Sequence, residues 1–160
     1  MSKHIAIVGA GPVGVVAALA AVQQGFRVSL YEAESCVDDS PRAATTHSST
    51  LEMIARVGLI DRFVREGLTA RYFQFWDQTA QAMVAQFDHE VLKDETPYPF
   101  VVQTEQHKLG NMGIEKLRTY ADAAVHFEHR ITVVAQTDDG VTLTAQAPDG
   151  QVRIEADYVI

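Results

Sequence analysis

Residues 5–32 read IAIVGAGPVGVVAALAAVQQGFRVSLYE, and this stretch decides the fold of the chain. It begins with a short apolar run, residues 5–8, that suits a β-strand buried on both faces. An alanine- and valine-rich segment at residues 13–24 then predicts a helix, and Gly25 stands where a glycine C-cap would end it. Residues 27–31 return as a second strand. This order predicts a βαβ unit, and with it an α/β fold built on a Rossmann-like parallel sheet.

Three glycines follow the first strand in the spacing G-x-G-x-x-G, inside the segment GAGPVG. Gly9 permits a tight turn, Gly11 lets the backbone approach a pyrophosphate where a Cβ would collide, and Gly14 lets the helix pack close to the sheet. Pro12 suits the first helical turn, whose N–H groups and partial positive charge point at bound phosphates. The turn residues predicted to bind the dinucleotide are Gly9, Ala10, Gly11, Pro12, Val13 and Gly14.

Glu32 ends the second strand, about 20 residues beyond the glycines, where a carboxylate accepts hydrogen bonds from the hydroxyls of an adenosine ribose. A carboxylate at this place repels a 2′-phosphate, so we do not expect the bound dinucleotide to be NADP. NAD and FAD are both open at this point. An ordinary βαβ unit with a glycine turn is the alternative, but the agreement of strands, glycines, helix and acid favours a nucleotide site.

Composition restricts the class of protein and its partners. Residues 5–22 are apolar enough to resemble a signal peptide or membrane anchor, but three glycines and a proline weaken a membrane helix. The 160 residues are 47% hydrophobic and 21% charged with one cysteine, so we expect a reduced, cytoplasmic globular protein. A net charge of −8 without a Lys/Arg-rich run speaks against nucleic acid or an anionic membrane as partner.

The chain after Glu32 does not continue the strand and helix alternation of a complete doubly wound domain. Ser49 and Glu52 fit a capping box at the start of a helix that Gly58 ends, and residues 60–66 predict a second short helix. Two strands, residues 71–76 and 83–87, are expected to pair across a polar turn. We interpret their aromatic side chains as sheet core, with a role facing a substrate as the less favoured alternative.

The last third of the chain predicts a helix at residues 106–120 and then a three-stranded antiparallel β-meander. The three strands are expected at residues 125–137, 141–146 and 151–160, because two Asp-Gly turns separate them. The final segment, ADYVI, turns apolar as if the chain re-entered a buried parallel sheet.

Two other groups of residues carry no chemistry in this interpretation. His126 and His129 are three apart in a predicted strand and would point to opposite faces, so we predict no metal site. Ser48 and Ser49 lie beside His47, but serines before an apolar helix are better explained as helix caps than as nucleophiles.

Four features together resemble the FAD-dependent aromatic hydroxylases of the para-hydroxybenzoate hydroxylase type, which are single-component flavoprotein monooxygenases. They are the GAGPVG turn, Glu32, the segment Pro41-Arg42-Ala43 before a helix that ends in Gly58-Leu59, and the helix that Gln106 opens before the meander. The resemblance spans the whole chain.

The resemblance implies two further cofactor-binding residues. Arg42 is expected near the flavin and its pyrophosphate, where a guanidinium fork suits phosphate. Gln106 is expected to touch the cofactor, since its amide is both donor and acceptor. Gln103 also fits the glutamine motif of the family and remains open, but Leu109 follows Gln106 in the hydrophobic phase of the helix. Where the family often has an acidic residue, this chain has Gly110.

The resemblance also implies a function. FAD would be the cofactor, NADH or NADPH the reductant, and a phenolic or other aromatic compound the substrate that is hydroxylated with O₂. The flavin carries the chemistry, so no catalytic residue is named. A flavin-dependent reductase or oxidase on the same fold and an inactive nucleotide-binding fragment are the alternatives.

The implied domain organisation is incomplete. Residues 1–70 and 101–160 would form the FAD-binding domain with its meander, and residues 71–100 would begin an inserted substrate-domain sheet. Family members continue, after a strand like residues 157–160, into an Asp-Gly loop that this chain lacks. We therefore expect the N-terminal portion of a longer protein, inactive by itself. A homo-oligomer is compatible with the sequence.

Overall fold

The structure, a computed structural model, describes residues 2–40, 42 and 44–160. These residues form strands and helices with one 3₁₀ turn, His89–Leu92, after the sixth strand. The strands and α-helices in chain order are β1 (His4–Val8), α1 (Pro12–Gln23), β2 (Arg27–Tyr31), β3 (Thr45–Thr46), α2 (Ser48–Arg56), α3 (Ile60–Glu66), β4 (Leu68–Ala70), β5 (Tyr72–Asp77), β6 (Ala82–Asp88), β7 (Val101–Gln103), α4 (Gln106–Leu117), β8 (Ala123–His126), β9 (Arg130–Thr137), β10 (Gly140–Ala147), β11 (Gly150–Ala156) and β12 (Tyr158–Val159).

A parallel sheet with the strand order β12-β1-β2-β8 lies at the centre of the first part of the fold. Its strand β1 is buried through Ile5, Ala6 and Ile7, as expected for a strand covered on both faces. The predicted βαβ unit is confirmed, since α1 connects the parallel strands β1 and β2. The apolar start of the chain is therefore a strand and a helix, and within the described residues no helix is long and apolar enough to cross a membrane.

The predicted antiparallel meander is confirmed as the sheet β11-β10-β9. Its side chains Leu143 and Ile154 pack in one apolar cluster with Ala6 and Tyr31 of the parallel sheet. Ile7, the neighbour of Ala6 in β1, lies instead beside Gly14 of α1. Because successive residues of a strand point to opposite faces, α1 and the meander cover opposite faces of the sheet.

The end of the predicted meander re-enters the parallel sheet, as the apolar sequence ADYVI indicated. Strand β12 pairs in parallel with β1, with Ile5 opposite Tyr158 and Ala6 opposite Val159. Asp157 makes the corner, because its carboxylate accepts the N–H of His4 at 2.6 Å.

The predicted single strand at residues 125–137 is wrong, because these residues belong to two sheets. The first residues lie in β8, which pairs in parallel with β2, and only β9 belongs to the meander. Glu128 separates them with a φ of 57°, a left-handed conformation that ends a strand. An extended-residue pattern does not reveal this break, because no glycine or proline marks it.

The predicted capping box of Ser49 and Glu52 is also wrong. Helix α2 begins at Ser48, His47 occupies the N-cap position, and no side chain caps the helix there. The Ser48 hydroxyl instead lies 3.5 Å from the carbonyl oxygen of Phe100. The predicted short helix at residues 60–66 is confirmed as α3.

The chain divides into two compact units, one made of residues 1–41 with 106–160 and the other of residues 42–105. The second unit holds α2, α3, the antiparallel sheet β3-β7-β4 and the two-stranded sheet β5-β6. Its core is built on buried Leu51, Ile54, Phe63 and Val102. The segment 71–100, for which a substrate-domain insertion is predicted, lies inside this unit.

The predicted pairing of the aromatic strands is confirmed as the β5-β6 hairpin, whose register shifts between Phe75 and Trp76. The interpretation of these rings as sheet core is wrong for the described chain, since Phe73, Phe75, Trp76 and Phe87 are 48 to 57% exposed. A two-stranded sheet has no third strand or packed helix to bury such rings.

Candidate functional site

The turn between β1 and α1 has the shape that the glycine spacing predicts. Gly9 has a φ of 103°, which residues with a side chain rarely adopt. A Cβ on Gly14 would lie 2.0 Å from the carbonyl oxygen of Gly9, so the helix can approach the turn only with glycine at this position. Both glycines are therefore required by the chain itself.

Gly11 is different, because nothing in the described chain requires a glycine there. Its φ of −67° and ψ of 172° are open to any residue, and no atom lies within 4 Å of where its Cβ would be. It is the N-cap of α1, followed by Pro12, at the end where helix N–H groups lack intrahelical acceptors. This open space beside backbone donors fits the predicted close approach of a pyrophosphate.

The Glu32 carboxylate is tied to the glycine turn. One oxygen accepts the Ala10 N–H at 2.7 Å, and the other accepts the Glu34 N–H at 3.1 Å. Each carboxylate oxygen has a second lone pair, so the group can accept two more donors. A ribose with two adjacent hydroxyls supplies such a pair of donors.

The peptide of Glu32 is held from the other side by the turn that follows β8. Its N–H donates to the carbonyl oxygen of His126 at 2.8 Å, and its own carbonyl accepts the His129 N–H at 2.8 Å. Sequence reasoning missed this support, because it depends on main-chain pairing between segments that are far apart in sequence. The acid is therefore fixed between the glycine turn and the β8–β9 turn.

His126 and His129 come together, which corrects the prediction that they point to opposite faces. The His126 ring stacks on Tyr31 with centroids 4.9 Å apart and an interplanar angle of 13°, and the His129 ring lies 5.4 Å from His126. His129 lies beyond β8, after the left-handed residue Glu128, so strand alternation does not apply to it. Partial burial, with a smaller effect from His129, lowers the pKa of His126, and burial raises the pKa of Tyr31.

Within the described residues, the histidine pair has no third side chain arranged with it to hold a metal. Across the part of the chain that the structure describes, no group of three or more His, Cys, Asp or Glu side chains is arranged to hold a metal ion. The two histidine rings instead pack against the ring of Tyr31, the residue that precedes Glu32.

A buried histidine that the sequence did not single out connects three strands of the first unit. His4 is 7% exposed, with Nδ1 3.0 Å from the Glu155 carbonyl oxygen and Nε2 2.9 Å from the Ser29 hydroxyl. Because a carbonyl only accepts, Nδ1 donates, and in the neutral tautomer Nε2 then accepts from the Ser29 hydroxyl. Through these two hydrogen bonds the His4 ring links β1 to β11 and to β2.

A cleft of about 400 Å³ opens beside Glu34, in the region that follows Glu32. Its volume lies within the range of small-molecule sites. The lining residues are Ala33, Glu34, Ser35, Glu128, Arg130, Gln146, Ala147 and Pro148.

The two glutamine candidates lie in different elements. Gln106 is the first residue of α4 and is half-buried. Gln103 lies in β7, and its side-chain oxygen accepts the hydroxyl of Thr45 at 2.9 Å. The contact of Gln106 with the cofactor stays a prediction.

Arg42 begins the second unit and is exposed. Its neighbours in the predicted segment, Pro41 and Ala43, lie outside the described residues. A contact of Arg42 with the flavin or its pyrophosphate also stays a prediction.

A parallel sheet with a glycine turn at a helix N-terminus and an acid at the end of the second strand defines the class of dinucleotide-binding domains. Within this class the chain belongs to the family described as "FAD binding domain", whose model matches residues 2–160. This membership selects FAD from the two dinucleotides that the βαβ sequence left open.

Relatives of the chain include two bacterial monooxygenases. It is 29% identical over 155 residues to para-nitrophenol 4-monooxygenase of Pseudomonas sp. (strain WBC-3), covering 97% of this chain and 38% of that protein. It is 30% identical over 162 residues to 6-hydroxy-3-succinoylpyridine 3-monooxygenase of Pseudomonas putida (strain DSM 28022 / S16), covering 100% of this chain and 40% of that protein. The chain therefore spans about two fifths of the length of these relatives.

Solved structures agree with this assignment. The crystal structure of p-nitrophenol 4-monooxygenase from Pseudomonas putida DLL-E4 matches 99% of this chain and 40% of its own with a TM-score of 0.92 and 30% identity. Aklavinone-11 hydroxylase in complex with FAD and aklavinone matches 98% of this chain and 32% of its own with a TM-score of 0.84. At 24% identity, this second match shows the fold alone. The predicted resemblance to FAD-dependent aromatic hydroxylases is confirmed.

Proposed function

We propose that the protein to which this chain belongs is an FAD-dependent monooxygenase that hydroxylates a phenolic or other aromatic substrate with O₂ and NADH or NADPH. The observation that carries the proposal is the match over nearly the whole chain to p-nitrophenol 4-monooxygenase, at a TM-score of 0.92 and 30% identity. The open space at Gly11 and the Glu32 carboxylate beside it support FAD binding by this chain's own residues.

Each part of the site has a task in this proposal. The segment Gly9–Gly14 holds the pyrophosphate with its backbone and helix N-terminus, and Glu32 accepts the ribose hydroxyls. Arg42 and Gln106 contribute a positive fork and an amide toward the flavin half. The bound flavin supplies the redox chemistry, while the protein orients the reactants and excludes water.

The roles that we propose for the segments of the chain follow the predicted domains. Residues 1–70 with 101–160 bind FAD, and residues 71–100 contribute to a substrate region. The exposed rings of the β5-β6 hairpin support this role, because they offer an aromatic surface to a small aromatic substrate. With a single cysteine in 160 residues, we also place the protein in the cytoplasm.

The test uses the intact protein. It should purify with FAD, and with NADH or NADPH it should consume O₂ in a manner that depends on p-nitrophenol or another phenol. Labelled dioxygen should appear in a hydroxylated product identified by mass spectrometry. Reduction or oxidation of the substrate without oxygen insertion would indicate the reductase or oxidase alternative, and a protein that never binds FAD would refute the proposal.

A further inference from the structure

Gly110 lies inside α4, where glycine is among the poorest helix formers. A Cβ at this position would lie 2.9 Å from Cγ1 of Val37 and 3.5 Å from the carbonyl oxygen of Ala10. Valine is stiff at χ1, so its methyl group does not give way as a long side chain would. The absence of a side chain at Gly110 thus provides the space that Val37 occupies.

Val37 belongs to residues 33–40, which we name the strap. The strap follows Glu32, and its Glu34 N–H donates to the Glu32 carboxylate at 3.1 Å. Farther along, the Ser40 N–H donates to the Asp38 carboxylate at 2.9 Å, a hydrogen bond between two residues of the strap itself. The contact with Gly110 therefore packs the middle of the strap against α4.

Ala10 connects the same contact to the dinucleotide site. Its N–H donates to the Glu32 carboxylate at 2.7 Å, while its carbonyl oxygen faces Gly110. Glu32 is thus held by two backbone N–H groups, one from the glycine turn and one from the strap. Both segments meet α4 at Gly110.

We propose that Gly110 is a positioning residue for FAD. By leaving room for Val37, it holds the strap beside the glycine turn and keeps the Glu32 carboxylate directed at the ribose. The inference rests on the proposed function, because it assumes that FAD occupies this site.

The test compares Gly110→Ala, Val37→Ala and the double variant in the intact protein, stripped of flavin and titrated with FAD by fluorescence quenching. Gly110→Ala should raise the dissociation constant about tenfold, because an added methyl group in a packed contact forces the strap away. The double variant should return to within about twofold of the unmodified protein, since Val37→Ala makes room for the new methyl group.

A second glycine of α4 supplies a matched control. A Cβ on Gly113 would lie 2.0 Å from Cγ1 of Val15 in α1, so Gly113→Ala should lower the thermal midpoint of the flavin-free protein through the helix contact. Val37→Ala should not rescue this variant. If Gly110→Ala does not fold, Val37→Ala alone is expected to raise the dissociation constant about threefold, because it loosens the strap without adding an atom.

Three outcomes overturn the inference: unchanged FAD affinity in Gly110→Ala, a double variant no better than Gly110→Ala, or unchanged affinity in Val37→Ala when only that variant folds. If the unmodified protein fails to bind FAD, the proposed function itself is refuted. Gly11→Val serves as the positive control for lost binding, because its side chain would enter the open space at the turn.

Discussion

At the residue scale, the fold requires two of the three glycines in the turn, each for a different reason. Gly9 is required by its positive φ, and Gly14 by a carbonyl oxygen 2.0 Å from its missing Cβ. Gly11 has no positive φ, and in the described chain no atom lies within 4 Å of where its Cβ would be. The glycine spacing alone does not separate the two positions that the fold needs from Gly11, for which we propose a contact with bound FAD.

This difference predicts opposite behaviour of two variants. Gly14→Ala should lower the thermal midpoint of the flavin-free protein, because the new methyl group collides with backbone. Gly11→Ala should leave that midpoint nearly unchanged and weaken FAD binding by at least about tenfold, since the methyl group stands where the pyrophosphate approaches. Calorimetry and FAD titration measure the two effects. A Gly11→Ala protein that binds FAD normally would contradict the assignment of the open space.

At the element scale, the turn between β8 and β9 supports the acid at the end of β2. The backbone of His126 and His129 forms hydrogen bonds with the N–H and the carbonyl of Glu32. The imidazole rings of these two residues pack on Tyr31. The turn exists because Glu128 adopts a left-handed conformation between two strands of different sheets. The stability of this element therefore depends on an uncharged His126 ring stacked on Tyr31.

The lowered pKa of His126 makes this stability depend on pH. Its ordinary value is 6.5, and burial keeps the folded value below that. Between the two values the unfolded chain binds more protons than the folded chain, so the free energy of unfolding rises with pH in this window. The contribution of His126 to the free energy of unfolding is complete above pH 6.5. It is lost as the pH falls from 6.5 toward the pKa of His126 in the folded chain.

We expect the thermal midpoint to fall as the pH is lowered from about 7 to about 5, and His126→Phe to flatten part of that slope. Phenylalanine keeps an aromatic ring on Tyr31 but cannot take up a proton. His47→Phe is the control and should leave the slope unchanged, since His47 lies in the second unit and not in the stack on Tyr31. An equal slope in His126→Phe and the unmodified protein would contradict this account.

At the scale of the whole molecule, the two compact units carry different surfaces. The unit of residues 1–41 and 106–160 has its apolar residues packed between α1 and the meander, with the dinucleotide turn at its edge. The unit of residues 42–105 presents the hairpin, where Phe73 and Phe75 meet edge to face at 4.9 Å. Under the proposed function, the glycine turn and Glu32 of the first unit bind FAD, and the hairpin of the second unit contributes to the substrate region.

The proposed substrate role predicts that Phe75→Ser raises the KM for the aromatic substrate about threefold to tenfold without changing FAD content. Gln78→Ser, in the exposed turn that joins the two strands, is the matched control and should leave KM unchanged. Steady-state kinetics and flavin absorbance distinguish the two variants. A lower thermal midpoint with an unchanged KM would instead identify the ring face as structural.

The sequence by itself determined several features that short segments specify. The βαβ unit follows from an apolar strand, a glycine turn and a helix in direct succession, and the β10–β11 connection follows from Pro148-Asp149-Gly150. The family could be recognised for the same reason, since its motifs are local.

Only the tertiary structure decided how segments far apart in sequence meet. The contact of Glu32 with Ala10, the pairing of His126 with Tyr31 and the fit of Val37 on Gly110 each join separate segments. Residue periodicity shows which face of an element is apolar, but not which neighbour that face meets or where a residue such as Glu128 turns the chain. These contacts depend on strand order and helix packing, and so on the folded chain as a whole.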